Sequence, residues 1–477
     1  MRSRPSPSGP ARRVAALLAV AALVLATACS GDDAADAPPR ATAPTPTTAE
    51  ETPPMTDAEL AAETYVAGYP LLVSTRTLQR FGGLIGVNGL FWQTALSGPE
   101  TRVIVAPNQD TLYSIAVLDL RAGPLALTVP EIPDRYHAYQ LLDTWTESFA
   151  YVGTRATGGR AGTWVITPPG WEGEPPAGTH QIEATTPLVF LLGRFLVDDE
   201  ADIPHVLALR DQISLQPLGA LTGDTDAPAP PPLGDPAGAP QAIPTDASAF
   251  TELGAALDVV APTTPAQRDL FARAEAAGIV GRDGAPPTAD PALLDEAAQA
   301  GHARIGRGAA GTGGATGWSA PGRVGTYGDD LDQRALVARI GWGANVPEEA
   351  VYSVARTDGD GAPLDGSVPH VVRFPADARP PVDSFWSLTA YGPDMFFAAN
   401  PQGTYAIGDR SPALTEEEDG SLEVVVSHEE PPPRADGTPR PWLPVPEGRY
   451  VLMLRLYLPQ QAAIDGTWTP PPVEPVG

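Results

Sequence analysis

The 477-residue chain has no lysine; all thirty of its basic residues are arginine. That excludes a Schiff-base lysine and a phosphate-binding P-loop lysine. Its one cysteine, Cys29, has nothing to pair with in an internal disulfide. Neither a G-x-S-x-G nucleophile elbow nor an H-E-x-x-H zinc helix occurs. Six histidines, at 137, 180, 205, 302, 370 and 428, lack ligand-like pairing, so neither a transition-metal site nor any other cofactor is expected. Gly306, Gly308 and Gly311 spell G-x-G-x-x-G, but no strand precedes them and a glycine-rich run follows, which is the wrong setting for a dinucleotide. Positive charge is scarce as well. With 58 acidic residues and a net charge of −28, the surface repels phosphate backbones, which argues against nucleic acid as a partner.

What is abundant is proline (56) and glycine (48), without a collagen period, so many short elements joined by rigid turns are expected. At the N-terminus, Arg12 and Arg13 precede an apolar run from Val14 to Leu25, and Ala26-Thr27-Ala28-Cys29 follows. This is the layout of a secretory signal over 1–28. Because a cysteine follows the small residues, it resembles a bacterial lipobox, with Cys29 acylated and the membrane as partner through the lipid. A diacyl chain anchors stably where a single chain is marginal. Residues 29–54 are nearly all Ala, Pro, Thr, Asp, Glu and Gly and read as a tether.

The body opens on Thr56-Asp57-Ala58-Glu59, a capping-box spacing ahead of a helical pattern from Leu60 to Arg80 that Pro70 is expected to kink or split. Strands are expected over Leu112–Leu118, Leu125–Val129, Tyr136–Leu142 and Val189–Val197, with a glycine-rich hairpin over Tyr151–Gly173. A proline–alanine tract and three helical patterns fill 218–328. Strands resume at Val351–Arg356, Val368–Phe374, Ser384–Tyr391, Leu422–Ser427 and Arg449–Leu458. The expectation is a mainly β chain with α insertions: two antiparallel β-sandwich or jelly-roll-like domains, over 55–217 and 329–470, with a helical linker region between them.

The chemistry-bearing stretch is Ala106 to Trp145. Asn108 and Asp110 stand where its first strand begins, Asp143 and Trp145 where a later one ends. If these strands pair as a meander, their polar ends converge on one rim; alternatively, Asn and Asp there satisfy turns.

With these residues in view, the chain resembles the paired domain-of-unknown-function families numbered 1254 (N-terminal) and 1214 (C-terminal). The first resemblance rests on Asn108-Gln109-Asp110-Thr111-Leu112-Tyr113, Arg135-Tyr136, Asp143-Thr144-Trp145, Gly153-Thr154-Arg155 and Pro169-Gly170-Trp171. The second rests on Gly343-Ala344-Asn345, Asp358-Gly359-Asp360-Gly361, Pro381-Val382-Asp383-Ser384-Phe385-Trp386-Ser387, Ile407-Gly408-Asp409-Arg410 and Trp442-Leu443-Pro444. The resemblance implies two β-sandwich-like domains, commonly in envelope or secreted proteins, and no common reaction. Thr404 and Pro441 depart from it, standing where arginine and asparagine are usual.

Three functional readings follow. The leading one is a lipid-anchored envelope protein that binds a small or carbohydrate-like ligand in an inter-domain cleft. Its rim would comprise Asn108, Asp110, Tyr113, Asp143, Trp145, Arg155, Trp386, Tyr391, Asp409 and Arg410, with Arg155 or Arg410 clamping an anion. The alternative is a hydrolase, lyase or isomerase using Asp110 or Asp143 as general base and Tyr113 as proton donor. The third is a structural scaffold. Asp358, Asp360 and Asp365 have the oxygen chemistry calcium prefers, but a third close acid and a following glutamate are missing and an Asp-Gly hairpin turn is the better explanation. A first expectation is that Cys29→Ser releases the protein from membranes; a variant that still sediments with the membrane fraction would rule out lipidation as the anchor.

Overall fold

The structure, a computed structural model, describes residues 55–102, 106–223, 228–234, 242–309, 316–319 and 322–476. Cys29, the signal segment and the tether lie outside these residues, as does Gly311.

Helix α1 (Asp57–Ile85) starts at a full capping box, in which the Thr56 side chain accepts from Glu59 N and Glu59 accepts from Thr56 N. It runs unbroken past Pro70, which is buried together with Tyr69 and Leu71. Packing therefore outweighs the lost backbone bond that suggested a break. Helices α2 (Ser248–Val259), α3 (Pro265–Ala276), α4 (Pro291–Ala309) and α5 (Leu331–Ile340) pack with it around Tyr65, Leu72, Phe250, Leu253, Phe271, Ala298 and Ala335. Sequence reading assigned the leading helix to the first β domain and the later ones to an insertion. In three dimensions they make one helical unit, because each has an apolar face that only the others cover.

The first β unit comprises β1 (Phe91–Trp92), β2 (Thr111–Asp119), β3 (Leu125–Val129), β4 (His137–Asp143), β5 (Ser148–Gly153), β6 (Gly162–Thr167), β7 (His180–Glu183), β8 (Leu188–Leu196) and β9 (Ser214–Pro217). They form two sheets, β1-β2-β8-β4-β5 and β7-β6-β3-β9. Leu112, Leu127, Leu141, Ile166, Leu191 and Phe195 fill the space between them. The second unit comprises β10 (Trp318–Ser319), β11 (Ala350–Ala355), β12 (His370–Phe374), β13 (Val382–Tyr391), β14 (Ala406–Gly408), β15 (Leu422–Ser427), β16 (Trp442–Pro444), β17 (Val451–Pro459) and β18 (Val473–Pro475). Its sheets are β10-β11-β17-β13-β14 and β16-β15-β12-β18, closed on Phe374, Trp386, Leu388, Val424, Leu452 and Leu454. The mainly β, two-sandwich expectation thus holds, although β10 and β18 carry the second unit beyond 329–470 at both ends.

Adding nine to each strand number of the first unit reproduces the second, including its one parallel pair: β6 with β7 and β15 with β16. The fold is an internal duplication. Those parallel pairs correct the all-antiparallel expectation, because the proline- and glycine-rich connections between them are long enough to cross over. The hairpin expected over 151–173 also fails to form. A helical turn, Thr154–Thr157, separates β5 from β6, and the two strands lie in different sheets.

Equivalent positions carry equivalent constraints. A Cβ on Gly153, whose φ is 152°, would meet His137 O at 2.2 Å, and one on Gly408 would meet Trp386 O at 2.2 Å. Gly153→Ala and Gly408→Ala should each destabilise by about 1–3 kcal/mol, as overpacking does. Chemical denaturation checks this, and an unchanged midpoint in either would refute the shared constraint.

Candidate functional site

The β1-β2-β8-β4-β5 and β10-β11-β17-β13-β14 sheets turn their outer faces toward each other, and the layer between them is polar. In the first sheet Tyr113 on β2 is the cross-strand partner of Arg194 on β8; in the second, Tyr352 on β11 is the partner of Arg455 on β17. Tyr113 and Tyr352 are each the third residue of their strand. An asparagine ahead of each strand donates to the phenol oxygen: Asn108 Nδ2 to Tyr113 at 2.5 Å and Asn345 Nδ2 to Tyr352 at 2.8 Å.

Each arginine then reaches into the other unit. Arg194 Nη1 donates to Asn345 Oδ1 at 3.0 Å and to Gln140 Oε1 at 2.9 Å. Arg455 Nη2 donates to Ala106 O at 2.8 Å and to the Tyr391 hydroxyl at 2.6 Å, and Nη1 donates to Thr389 Oγ1 at 2.9 Å. Ala106 has φ 53°, a left-handed conformation rare outside glycine, and its carbonyl is one of the acceptors for Arg455.

Flanking ion pairs repeat the exchange. Arg410 of the second unit donates to Asp110 Oδ1 at 2.9 Å, and Ser387 Oγ donates to Oδ2 at 2.6 Å. In mirror fashion Arg155 of the first unit donates to Glu349 Oε2 at 2.7 Å, and the Tyr136 hydroxyl donates to Oε1 at 2.8 Å. Asp110 and Glu349 each stand three residues before the tyrosine of their strand. Edge-to-face contacts of Tyr136 with Phe385 (5.5 Å) and Tyr457 (5.4 Å) supply the apolar part of the interface.

The charges of the layer are unevenly paired: Arg410 meets Asp409 at 3.0 Å and Asp198 at 3.9 Å as well as Asp110, while two arginines meet none so closely. Arg194 is 6% exposed and Arg455 3%, yet among the described residues neither has a carboxylate within ion-pair distance. The third buried arginine, Arg334 at 1%, does meet one, Glu147, at 2.8 Å. Tyr113 and Tyr352 keep partial exposure above the buried guanidinium groups. Burial nevertheless pushes the Tyr113 phenol pKa up, offset in part by Arg194 and Arg455, so its proton stays on and is available to donate. Since each phenol oxygen already accepts from an asparagine, what the two tyrosines still present is one O–H donor apiece, beside two guanidinium cations whose Nη atoms already donate to Gln140, Asn345, Ala106, Thr389 and Tyr391. Such a set is complementary to an oxyanion.

Residues 87–217 match the family model described as a protein of unknown function, DUF1254, and residues 349–461 match the one described as a protein of unknown function, DUF1214. The chain joins the two in that order. The VPA0106 protein from Vibrio parahaemolyticus, a crystal structure, is 24% identical with a TM-score of 0.68, over 88% of this chain and all of that one, a likeness of fold. An uncharacterised protein from Burkholderia cenocepacia is 14% identical with a TM-score of 0.42, over 88% of this chain and 93% of that one. No curated protein matches.

The fold draws the sequence candidates apart. From the DUF1254 segment Asn108, Asp110, Tyr113 and Arg155, and from the DUF1214 segment Tyr391, Asp409 and Arg410, lie in or beside the layer. Asp143 and Trp145 do not. β2 and β4 both run antiparallel to β8, which lies between them, so they are parallel to each other and not a meander. The start of one and the end of the other are therefore at opposite ends of the sheet, on the order of 25 Å apart. Trp145 docks instead on the helical unit: Nε1 donates to Ala261 O at 2.9 Å, and its ring lies 5.5 Å from Phe271. Trp386 is core, 5.0 Å from Phe374. Asp358 accepts from Asp360 N and Ala362 N, while Asp365 accepts from Ser367, so these acids build turns. No group of three potential metal ligands occurs among the described residues.

The arginines that lack a carboxylate, Arg194 and Arg455, escaped sequence reading, as did Glu349 and Tyr352. A signal was present for the arginines: each is the lone charge in an apolar strand, LVFLLGRFL and VLMLRLYLP.

Asp143 has a separate consequence. Burial pushes its carboxyl pKa up to about 6, although Thr185 and the Glu147 N–H bond it. Because this lies above the unfolded value of about 4, the folded state holds the proton more tightly. The resulting stability is present below about pH 4 and is lost as pH rises through 6, up to about 3 kcal/mol. Asp143→Asn should remove that loss. Urea denaturation between pH 4 and 7 tests it: a pH slope identical in variant and parent would refute the assignment.

Proposed function

We propose that this is a lipid-anchored cell-envelope protein whose two sandwiches bind a small oxyanion, carboxylate-bearing, between them. The carrying observation is that Arg194 and Arg455 are buried with no carboxylate of the described residues within ion-pair distance; the Asp110 charge that acts on Arg455 is already paired with Arg410. A buried cation without an ion-pair partner costs several kcal/mol, so an arrangement that keeps two of them suits an external anion. The arginines expected from sequence as clamps, Arg155 and Arg410, are taken up by Glu349 and Asp110. This favours binding over acid–base turnover, since Asp110 commits both oxygens to Ser387 and Arg410. Of the aromatic residues that could stack on a sugar, Trp145, Trp386, Tyr391 and Trp442, the first two are buried elsewhere, Trp442 bonds Ser427 O and the Tyr391 hydroxyl is taken by Arg455, which narrows the ligand from carbohydrate-like to anionic. Anchoring rests on Cys29 and the segment before it; no helix among the described residues is long and apolar enough to cross a membrane.

Thermal unfolding of the full-length protein in 100 mM sodium propionate, inorganic phosphate or succinate, against sodium chloride of equal ionic strength, tests this. At least one anion should raise the Tm through mass action, and Arg194→Met and Arg455→Met should each abolish the shift. If none of the three moves the parent's Tm beyond the chloride control, the reading is wrong.

A further inference from the structure

Resting on that reading, we infer that the ligand carries two acid groups, one for each of the Tyr113–Arg194 and Tyr352–Arg455 pairs. The two pairs are copies, one from each half of a duplicated fold, with the same cross-strand register and the same asparagine on the phenol oxygen. They adjoin, because Arg194 bonds the asparagine that holds Tyr352, and Arg455 bonds Ala106 O two residues before the asparagine that holds Tyr113. A single-headed carboxylate meets one guanidinium and leaves the other desolvated without an ion-pair partner. A diacid answers both, each carboxylate accepting from a tyrosine O–H beside a guanidinium charge.

The layer also specifies the spacer. Tyr352 belongs to two apolar clusters that flank the arginines, one with Ala350, Phe385 and Tyr457, the other with Val354 and Met453. A short hydrocarbon spacer lies against these walls without leaving a polar group unpaired, whereas a hydroxyl-rich one would compete for acceptors that Arg194 and Arg455 already use. The ligand class is therefore a small dicarboxylate with an apolar spacer.

Calorimetric titration of the full-length protein with propionate, succinate, glutarate, adipate and inorganic phosphate, at equal ionic strength, tests the inference. One diacid should bind per chain at least about a hundredfold more tightly than propionate, the gain expected of two linked contacts. Arg194→Met and Arg455→Met should each reduce that diacid to the propionate level. Tyr113→Phe and Tyr352→Phe, which keep volume and charge, should each weaken it about tenfold, the loss of one hydrogen bond to a charged group. They give the same readout should an arginine variant fail to fold. Propionate bound as tightly as every diacid, or phosphate bound more tightly than all of them, would overturn the two-headed ligand and leave the anion reading standing. Binding of none of the five would remove both.

Discussion

Each half of this molecule places a carboxylate at the start of a strand and has it neutralised by an arginine from the other half. Asp110 is met by Arg410, and Glu349 by Arg155. Neither sandwich closes its own charge account at this face, so the interface is a condition of burying either carboxylate, not an optional contact between finished domains. Around this exchange the rest is arranged by the same swap. Arg194 and Arg455 cross over to backbone and amide acceptors of the opposite unit, and the backbone bond of Val197 N to Asp110 O is repeated by Leu458 N to Glu349 O.

The helical unit sets where that layer can be. Leu78 and Phe81 of α1 cover the β2–β8–β4 face at the end carrying Val117, Leu142 and Leu188, leaving only the Tyr113–Arg194 end for the second sandwich. At the covered end Arg334 on α5 donates to Trp145 O and pairs with Glu147, which pins the β4–β5 turn to the helices. A sheet face that would otherwise be one apolar surface is thereby divided into an apolar part and a polar one. The division explains how Arg194 persists in a strand whose neighbours are almost all apolar.

Element types were legible because period-two alternation and capping chemistry are local. The Thr56–Glu59 box, the β17 alternation and the three helices after residue 245 needed no tertiary information. Asn108, Asp110, Tyr113 and Arg410 were legible as candidates because they are polar groups at strand ends. What eluded local reading was sheet order. β8 lies between β2 and β4 yet is separated from β4 by 44 residues, and that placement sends Asp143 and Trp145 to the far end of the sheet.

The sequence by itself determined an acidic chain without lysine, a mainly β body in two parts, and a lone cysteine after an apolar leader, because composition and short-range periodicity carry those facts. The tertiary structure alone decided that the two parts are copies and that their tyrosines and arginines meet. The repeat lies in strand order, which no local pattern carries, and a partner 150 or 300 residues away, as for Arg194 with Asn345 and Arg410 with Asp110, is chosen only when the sheets close on each other.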